Sequence, residues 1–270
     1  MLWKAPVALS MVILWLFALR LAPVSGFTAG AHSAPGTAGS QPVVLELFTS
    51  EGCSSCPPAD AFLKRLDDAG RFGNVEIIAI EEHVDYWNHQ GWSDPFSSHD
   101  WTARQEQYAR ALGLRGIYTP QLVINGRNEL VGSSEREALH SITAAAEFSD
   151  AAVRISAINL SGQSARLTIT IEAPPSNLRS PDLWLAVTER GLSSNVLRGE
   201  NEGRNLTHAA VLRSLTRIRT DHGGASGSAE ATASIPLDRI WKRENLRFVV
   251  FLQEPKTLHI FGAAASQLPR

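Results

Sequence analysis

Residues 43–60 read Val-Val-Leu-Glu-Leu-Phe-Thr-Ser-Glu-Gly-Cys-Ser-Ser-Cys-Pro-Pro-Ala-Asp and set two cysteines between an apolar run and a helical pattern. That junction restricts the chain more than any other stretch. The Val, Leu and Phe run predicts a buried strand, and residues 49–52 supply a turn. Pro57 and Pro58 suit the first turn of a helix, where a missing N–H would have had no partner. Phe62, Leu63 and Leu66 then recur at helical spacing. The two cysteines are therefore expected at a helix N-terminus. The positive end of the helix dipole favours a thiolate there, and an i, i+3 spacing permits disulfide geometry with little backbone movement. Cys53, nearer the exposed turn, is read as the nucleophile and Cys56 as the resolving thiol. The plainer alternatives are a structural disulfide or half of a zinc site.

The context of these cysteines bears on their use. Residues 1–26 resemble a cleavable export signal: Lys4 precedes an apolar run over 7–19, and small residues offer cleavage after Gly26 or Ala31. The run is shorter than the ~20 residues a spanning helix needs, and Arg20 interrupts it. The expectation is a periplasmic or secreted protein with no stable membrane anchor after signal cleavage, an uncleaved anchor being the alternative. Residues 27–41, rich in Gly, Ala, Ser, Pro and Thr, read as a flexible linker. The chain has only 2 cysteines, so no disulfide framework holds it together. Its formal charge of −2 argues against a nucleic-acid partner.

Residues 42–150 are expected to form a first domain. A second apolar β-run over 75–80 leads into Glu81-Glu82-His83-Val84-Asp85-Tyr86-Trp87-Asn88-His89-Gln90-Gly91-Trp92, a concentration of aromatic, imidazole and carboxylate groups. Open α/β sheets commonly place their sites at such strand ends. His83, Asp85 and His89 are candidates for proton transfer, metal coordination or substrate contact, set against a loop that merely covers the domain. A helix is expected over about 100–112. Pro120 opens a β-run closed by Asn125-Gly126, the signature of a type I′ hairpin turn. The residues alone do not show whether the Thr119–Pro120 bond is cis, and the base rate of ~5% for X–Pro bonds in folded proteins is against it. A last helix, capped by Ser133 or Ser134, runs to about residue 148.

Strand, Cys-x-x-Cys helix, strand, helix, Thr-Pro strand, hairpin, helix is similar to the thioredoxin-like fold, and Cys-x-x-Cys beside a strand–helix unit is its usual signal. More closely, residues 46–60 together with His83-Val84-Asp85-Tyr86-Trp87 and Tyr118-Thr119-Pro120-Gln121 resemble the exported family called domain of unknown function 1223. The resemblance implies a cis bond before Pro120, with Pro120 beside the cysteines. It also implies that Thr119 presents backbone to a substrate, and His83, Asp85 and Trp87 are the further candidates for substrate contact. Glu46 would be the buried carboxylate assisting proton transfer, although its offset from Cys53 differs by one from the thioredoxin pattern. Gly52 stands where thioredoxins carry tryptophan, and Ser54-Ser55 replaces the usual Gly-Pro. The pair between the cysteines tunes their potential.

Residues 151–265 change texture. Short β-rich runs separated by Gly, Ser, Asn and Pro predict a smaller sandwich-like β domain. The whole is thus expected to be α/β, a thioredoxin-like domain followed by that β-rich domain. The polar cluster over 199–208 reads as a hairpin loop, or as a contact with the cysteine cleft. Three functions remain open. The first is a thiol–disulfide oxidoreductase using Cys53, Cys56, Pro120 and Glu46 on protein thiol or disulfide substrates, or with a redox partner, and needing no cofactor. The second is a copper or zinc module in which Cys53 and Cys56 ligate with His83 or His89. The third is a non-catalytic interaction protein with a plain disulfide.

Overall fold

In chain order, β1 (Pro42–Thr49), α1 (Pro57–Ala69), β2 (Arg71–Phe72), β3 (Val75–His83), α2 (His99–Ala111), β4 (Gln121–Ile124), β5 (Asn128–Val131) and α3 (Glu135–Ala145) fall where the hydrophobic patterns predict, apart from the short β2. They are followed by β6 (Ala152–Ser161), β7 (Ser164–Glu172), β8 (Asp182–Arg190), β9 (Ser193–Asn195), β10 (Asn205–Thr207), β11 (Ala210–Ile218), β12 (Ser228–Pro236), β13 (Leu246–Gln253) and β14 (Ile260–Gln267). This computed structural model describes residues 1–3, 42–148, 151–172, 181–218 and 228–268; the expected signal and linker positions over 4–41 lie outside them. The described residues from 42 onward form one compact unit.

The expected partition into a thioredoxin-like α/β domain and a separate sandwich is not what forms. The described chain is mostly β with three α-helices. Strands of both halves share one mixed sheet of nine, in the order β14-β13-β8-β11-β3-β1-β4-β5, with β2 paired to β3. The physical reason lies at the edge of β3. Both faces of that strand are buried, so its outer backbone edge needs a partner. β11 supplies it, parallel, with Val211 opposite Glu81. β8 and β13 continue the sheet antiparallel.

Alternation along β1 and β3 then sorts side chains between two faces. Val43, Leu45, Leu47, Val75, Ile77 and Ala79 pack beneath Phe62, Leu63 and Leu66 of α1 and Ile142 of α3. Farther along the chain, the sheet β12-β7-β6 packs Leu167, Ile169 and Ile171 on Leu185, Val187, Phe248 and Val250. The odd-numbered residues of β1 and β3 therefore face α1, and the even-numbered ones face α2, where Val44, Ile78 and Ile80 meet Trp101. Asn125 and Gly126 close the β4–β5 hairpin with φ of 47° and 63°, as the Asn-Gly pair predicts. Gly126 cannot be replaced without movement, since a Cβ there would lie 1.9 Å from the Leu258 carbonyl oxygen.

Candidate functional site

The cysteine turn is built locally. Cys56 occupies the N-cap of α1 with prolines at the first helical positions, and its carbonyl accepts from the N–H groups of Ala59 (2.8 Å) and Asp60 (3.1 Å). The Cys53 N–H bonds to the Ser50 carbonyl at 3.1 Å. Cys53 and Cys56 are joined as a disulfide with their Cα atoms 5.5 Å apart, a normal separation. Both are fully buried, whereas Ser54 and Ser55 between them are exposed.

The covering comes from the second half of the chain. The hairpin of β9 and β10 carries Glu200 and Asn201 over the turn. Buried Asn201 donates from Nδ2 to the carbonyls of Glu51 (2.9 Å) and Cys53 (3.0 Å), and exposed Glu200 accepts from the Ser54 N–H at 3.0 Å. Gly199 and Gly91, both at positive φ, let this hairpin and the loop after β3 approach backbone to backbone; a Cβ on Gly91 would sit 3.4 Å from Gly199 Cα. The polar cluster over 199–208 thus contacts the cysteine turn rather than forming a free loop.

Thr119–Pro120 is cis. Pro120 lies beside the start of α1: a Cβ on Gly132 would meet Ala59 Cβ at 3.1 Å and Pro120 Cβ at 3.4 Å. Gln105 of α2 holds this segment, donating to the Tyr118 carbonyl (2.7 Å) and to Gln121 Oε1 (2.8 Å). Trp87 links the two parts of the site. Its Nε1 donates to Thr119 Oγ1 at 2.8 Å, and its Cβ would lie 3.2 Å from a side chain begun at Gly52.

The remaining candidates divide. Glu46 points away from α1. Arg104 Nε donates to it at 2.6 Å, and the Tyr108 hydroxyl donates to its other oxygen. Glu82 shares the same guanidinium, with its Oε1 at 3.5 Å from Arg104 Nε. Burial and the Glu46 charge push Glu82 well above the usual carboxylate range. Asp85 fastens α2, accepting from the Thr102 hydroxyl at 2.6 Å. His89 is exposed, and the cysteines are consumed in their disulfide, so the expected cysteine–histidine metal set is not assembled.

His83 does face the cysteine side, within a buried cluster that the sequence reading missed. Its Nδ1 pairs with Asp94 Oδ2 at 2.7 Å, and its Nε2 lies 3.3 Å from Glu81 Oε1. His208 bridges Glu81 Oε1 through Nδ1 and Glu51 Oε1 through Nε2, each at 2.9 Å. The Ala209 N–H fixes Glu81 Oε2 at 2.6 Å, and the Glu51 N–H donates to Asp94 Oδ2 at 2.8 Å. Burial opposes charge on His208, but Glu81 and Glu51 raise it to about 9. Burial alone would also raise Glu81, yet the charge and hydrogen bond of His208, with the charge of His83, hold it well below the usual carboxylate range. Asp60, one turn beyond Cys56 on α1, accepts from the Thr49 hydroxyl at 2.6 Å. Burial and then the Glu81 charge push it to about 7.

Fold and site define a class: a β-rich protein with a mixed sheet and one Cys-x-x-Cys disulfide at a helix N-terminus, clasped by a hairpin from the other half of the chain. Within that class the chain belongs to the family described as protein of unknown function (DUF1223), whose model matches residues 44–253. Among solved structures it is similar to protein AGR_C_4864 from Agrobacterium tumefaciens, at 28% identity and a TM-score of 0.61 over 86% of this chain and 98% of that one. It is also similar to HBP35 of Porphyromonas gingivalis, at 15% identity and a TM-score of 0.61 over 85% of this chain and 76% of that one, a likeness of fold alone. Comparison with curated proteins gives no match.

Proposed function

We propose that this protein is an exported thiol–disulfide oxidoreductase acting through Cys53 and Cys56. The observation that carries the reading is the disulfide itself, with Cys56 at the N-cap of α1 and Cys53 in the turn just before it, at the end of the helix where the dipole favours a thiolate. In the reduced protein the Cys53 thiolate attacks one sulfur of a substrate disulfide, whose other sulfur leaves as a thiolate. Cys56 then attacks Cys53 Sγ, closing the Cys53–Cys56 bond and releasing the substrate as a dithiol. Two electrons pass from the cysteine pair to the substrate, and the reverse sequence oxidises a substrate dithiol. The proton lost from Cys56 needs an acceptor, and Asp60, one turn on in the same helix and titrating at about 7, is the group suited to it. Pro120 and Thr119 border the site, as the Trp87–Thr119 contact supports.

Export rests on the apolar run after Lys4 and on the preference of stable disulfides for oxidising compartments. Within this reading the substrates are proteins bearing thiols or disulfides, and the Glu200–Asn201 hairpin must lift to admit them. The full burial of both cysteines favours a second reading, a structural disulfide that never exchanges.

The two are separated by assaying exchange between glutathione and a disulfide-bearing peptide. Wild-type protein is expected to accelerate it, Cys53→Ser to abolish the acceleration, and Cys56→Ser to accumulate a glutathione adduct on Cys53. A wild-type rate equal to that of buffer, or of Cys53→Ser, overturns the proposal.

A further inference from the structure

We propose that Glu81, His83 and His208 form a divalent-metal site of the zinc class, separate from the cysteines, with Glu81 Oε1, His83 Nε2 and His208 Nδ1 as donors. These atoms all lie within 4.8 Å of one another, and all three residues are buried. The second observation is an orphan: fully buried His83 Nε2 has no hydrogen-bond partner among the described residues, though it points toward Glu81 Oε1 at 3.3 Å. A buried ring nitrogen left unpaired is costly, and a metal ion at this point would satisfy it.

Two of the three donor separations lie near those around the ion. Ligands at about 2.0–2.1 Å around a tetrahedral zinc lie about 3.3 Å apart. Glu81 Oε1 and His83 Nε2 already have that separation at 3.3 Å, and the 2.9 Å between Glu81 Oε1 and His208 Nδ1 needs only a small opening.

The surroundings fit as well. Metal-bound histidines commonly hold their outer nitrogen on a carboxylate, which fixes the ring. Both rings here do so, His83 Nδ1 on Asp94 (2.7 Å) and His208 Nε2 on Glu51 (2.9 Å). The Ala209 N–H orients the second oxygen of Glu81. Phe96 packs against both rings, at 5.4 and 5.2 Å between centroids. Two imidazoles and one carboxylate suit zinc, and three protein donors leave a fourth position for water or an outside ligand.

The test uses the full chain with its disulfide intact, so that no thiolate can contribute. Protein is stripped with chelator while unfolded, refolded with zinc, desalted and measured for metal. One zinc per chain is expected, both in wild type and in the Cys53→Ser/Cys56→Ser variant. Asp94→Asn should weaken binding about 10–100-fold, and His208→Gln or Glu81→Gln should weaken it by about 100-fold or more. Because those buried variants could misfold, cobalt in wild-type protein gives an independent readout: intense visible bands of a four-coordinate site, without thiolate charge transfer. Substoichiometric zinc in wild type, a weak octahedral cobalt spectrum, undiminished zinc in folded His208→Gln, or zinc that disappears with the cysteines would each overturn the site. Because the metal is counted on oxidised protein, failure here leaves the exchange reaction untouched, and the converse also holds.

Discussion

β3 ends with two adjacent buried glutamates that face opposite sides of the sheet and have opposite fates. Glu81, on the α1 side, meets two imidazoles and is held ionised. Glu82, on the α2 side, must share the guanidinium of Arg104 with Glu46, and burial together with the Glu46 charge pushes it toward its protonated form. A guanidinium never gives up its proton in a protein, so the α2 cluster is a fixed ion pair that holds a helix to a sheet. Imidazoles trade protons or accept metals near neutral pH. The proposed exchange and metal binding therefore both lie on the α1 side, beneath the cysteine turn, and the fixed ion pair on the other.

The harshest way to break this contrast is Arg104→Met. It would strand Glu46 and Glu82 with no cation, and the loss should be about 3–5 kcal/mol in urea unfolding with the Cys53–Cys56 exchange chemistry retained in whatever folded protein remains. Loss of exchange at full foldedness would contradict the assignment of this face to structure.

Asp60 faces the Thr49 hydroxyl, Glu81, His83 and His208. Its folded pKa of about 7 lies above its usual 3.8. The stability it contributes is therefore present in full below about pH 4 and is lost as pH rises through about 7. Asp60→Asn, which cannot ionise, should remove from the pH 4–7 stability slope a component on the order of 3 kcal/mol. Parallel slopes for wild type and variant would refute the raised pKa.

A smaller effect is expected at the clasp. Asn201→Ala leaves the Glu51 and Cys53 carbonyls without their donor and should cost about 1–3 kcal/mol, with faster reduction of the disulfide by dithiothreitol. An unchanged reduction rate would mean that the hairpin does not guard the sulfurs. The mildest change is Glu200→Ala. This exposed carboxylate bonds exposed Ser54, which water can serve instead, so thermal unfolding should be unaltered.

Most of the elements were legible in the sequence, and their assembly was not. Apolar periodicity marks β1, α1, β3, α2 and α3, and Asn125-Gly126 fixes its hairpin. Periodicity, however, says nothing about which strand takes the free edge of β3, and the change of texture after residue 150 suggested a boundary that the shared sheet crosses. The cysteines were legible because Cys-x-x-Cys is local. Glu46 was misleading for a related reason. A carboxylate in an apolar strand announces a buried partner without saying on which face, and its partner Arg104 is supplied by α2. His208, Asn201 and Glu51 form their contacts across more than 100 residues, a distance no local pattern spans. The one available signal was the density of polar residues over 199–208.

The claim on which the account turns is that the clasped Cys53–Cys56 bond exchanges. Its reduction potential, from equilibration of metal-free protein against glutathione buffers, tests this most directly. A value between about −270 and −120 mV, the span of dedicated exchange proteins, is the predicted result. A value well below about −300 mV would mark a structural disulfide and contradict it.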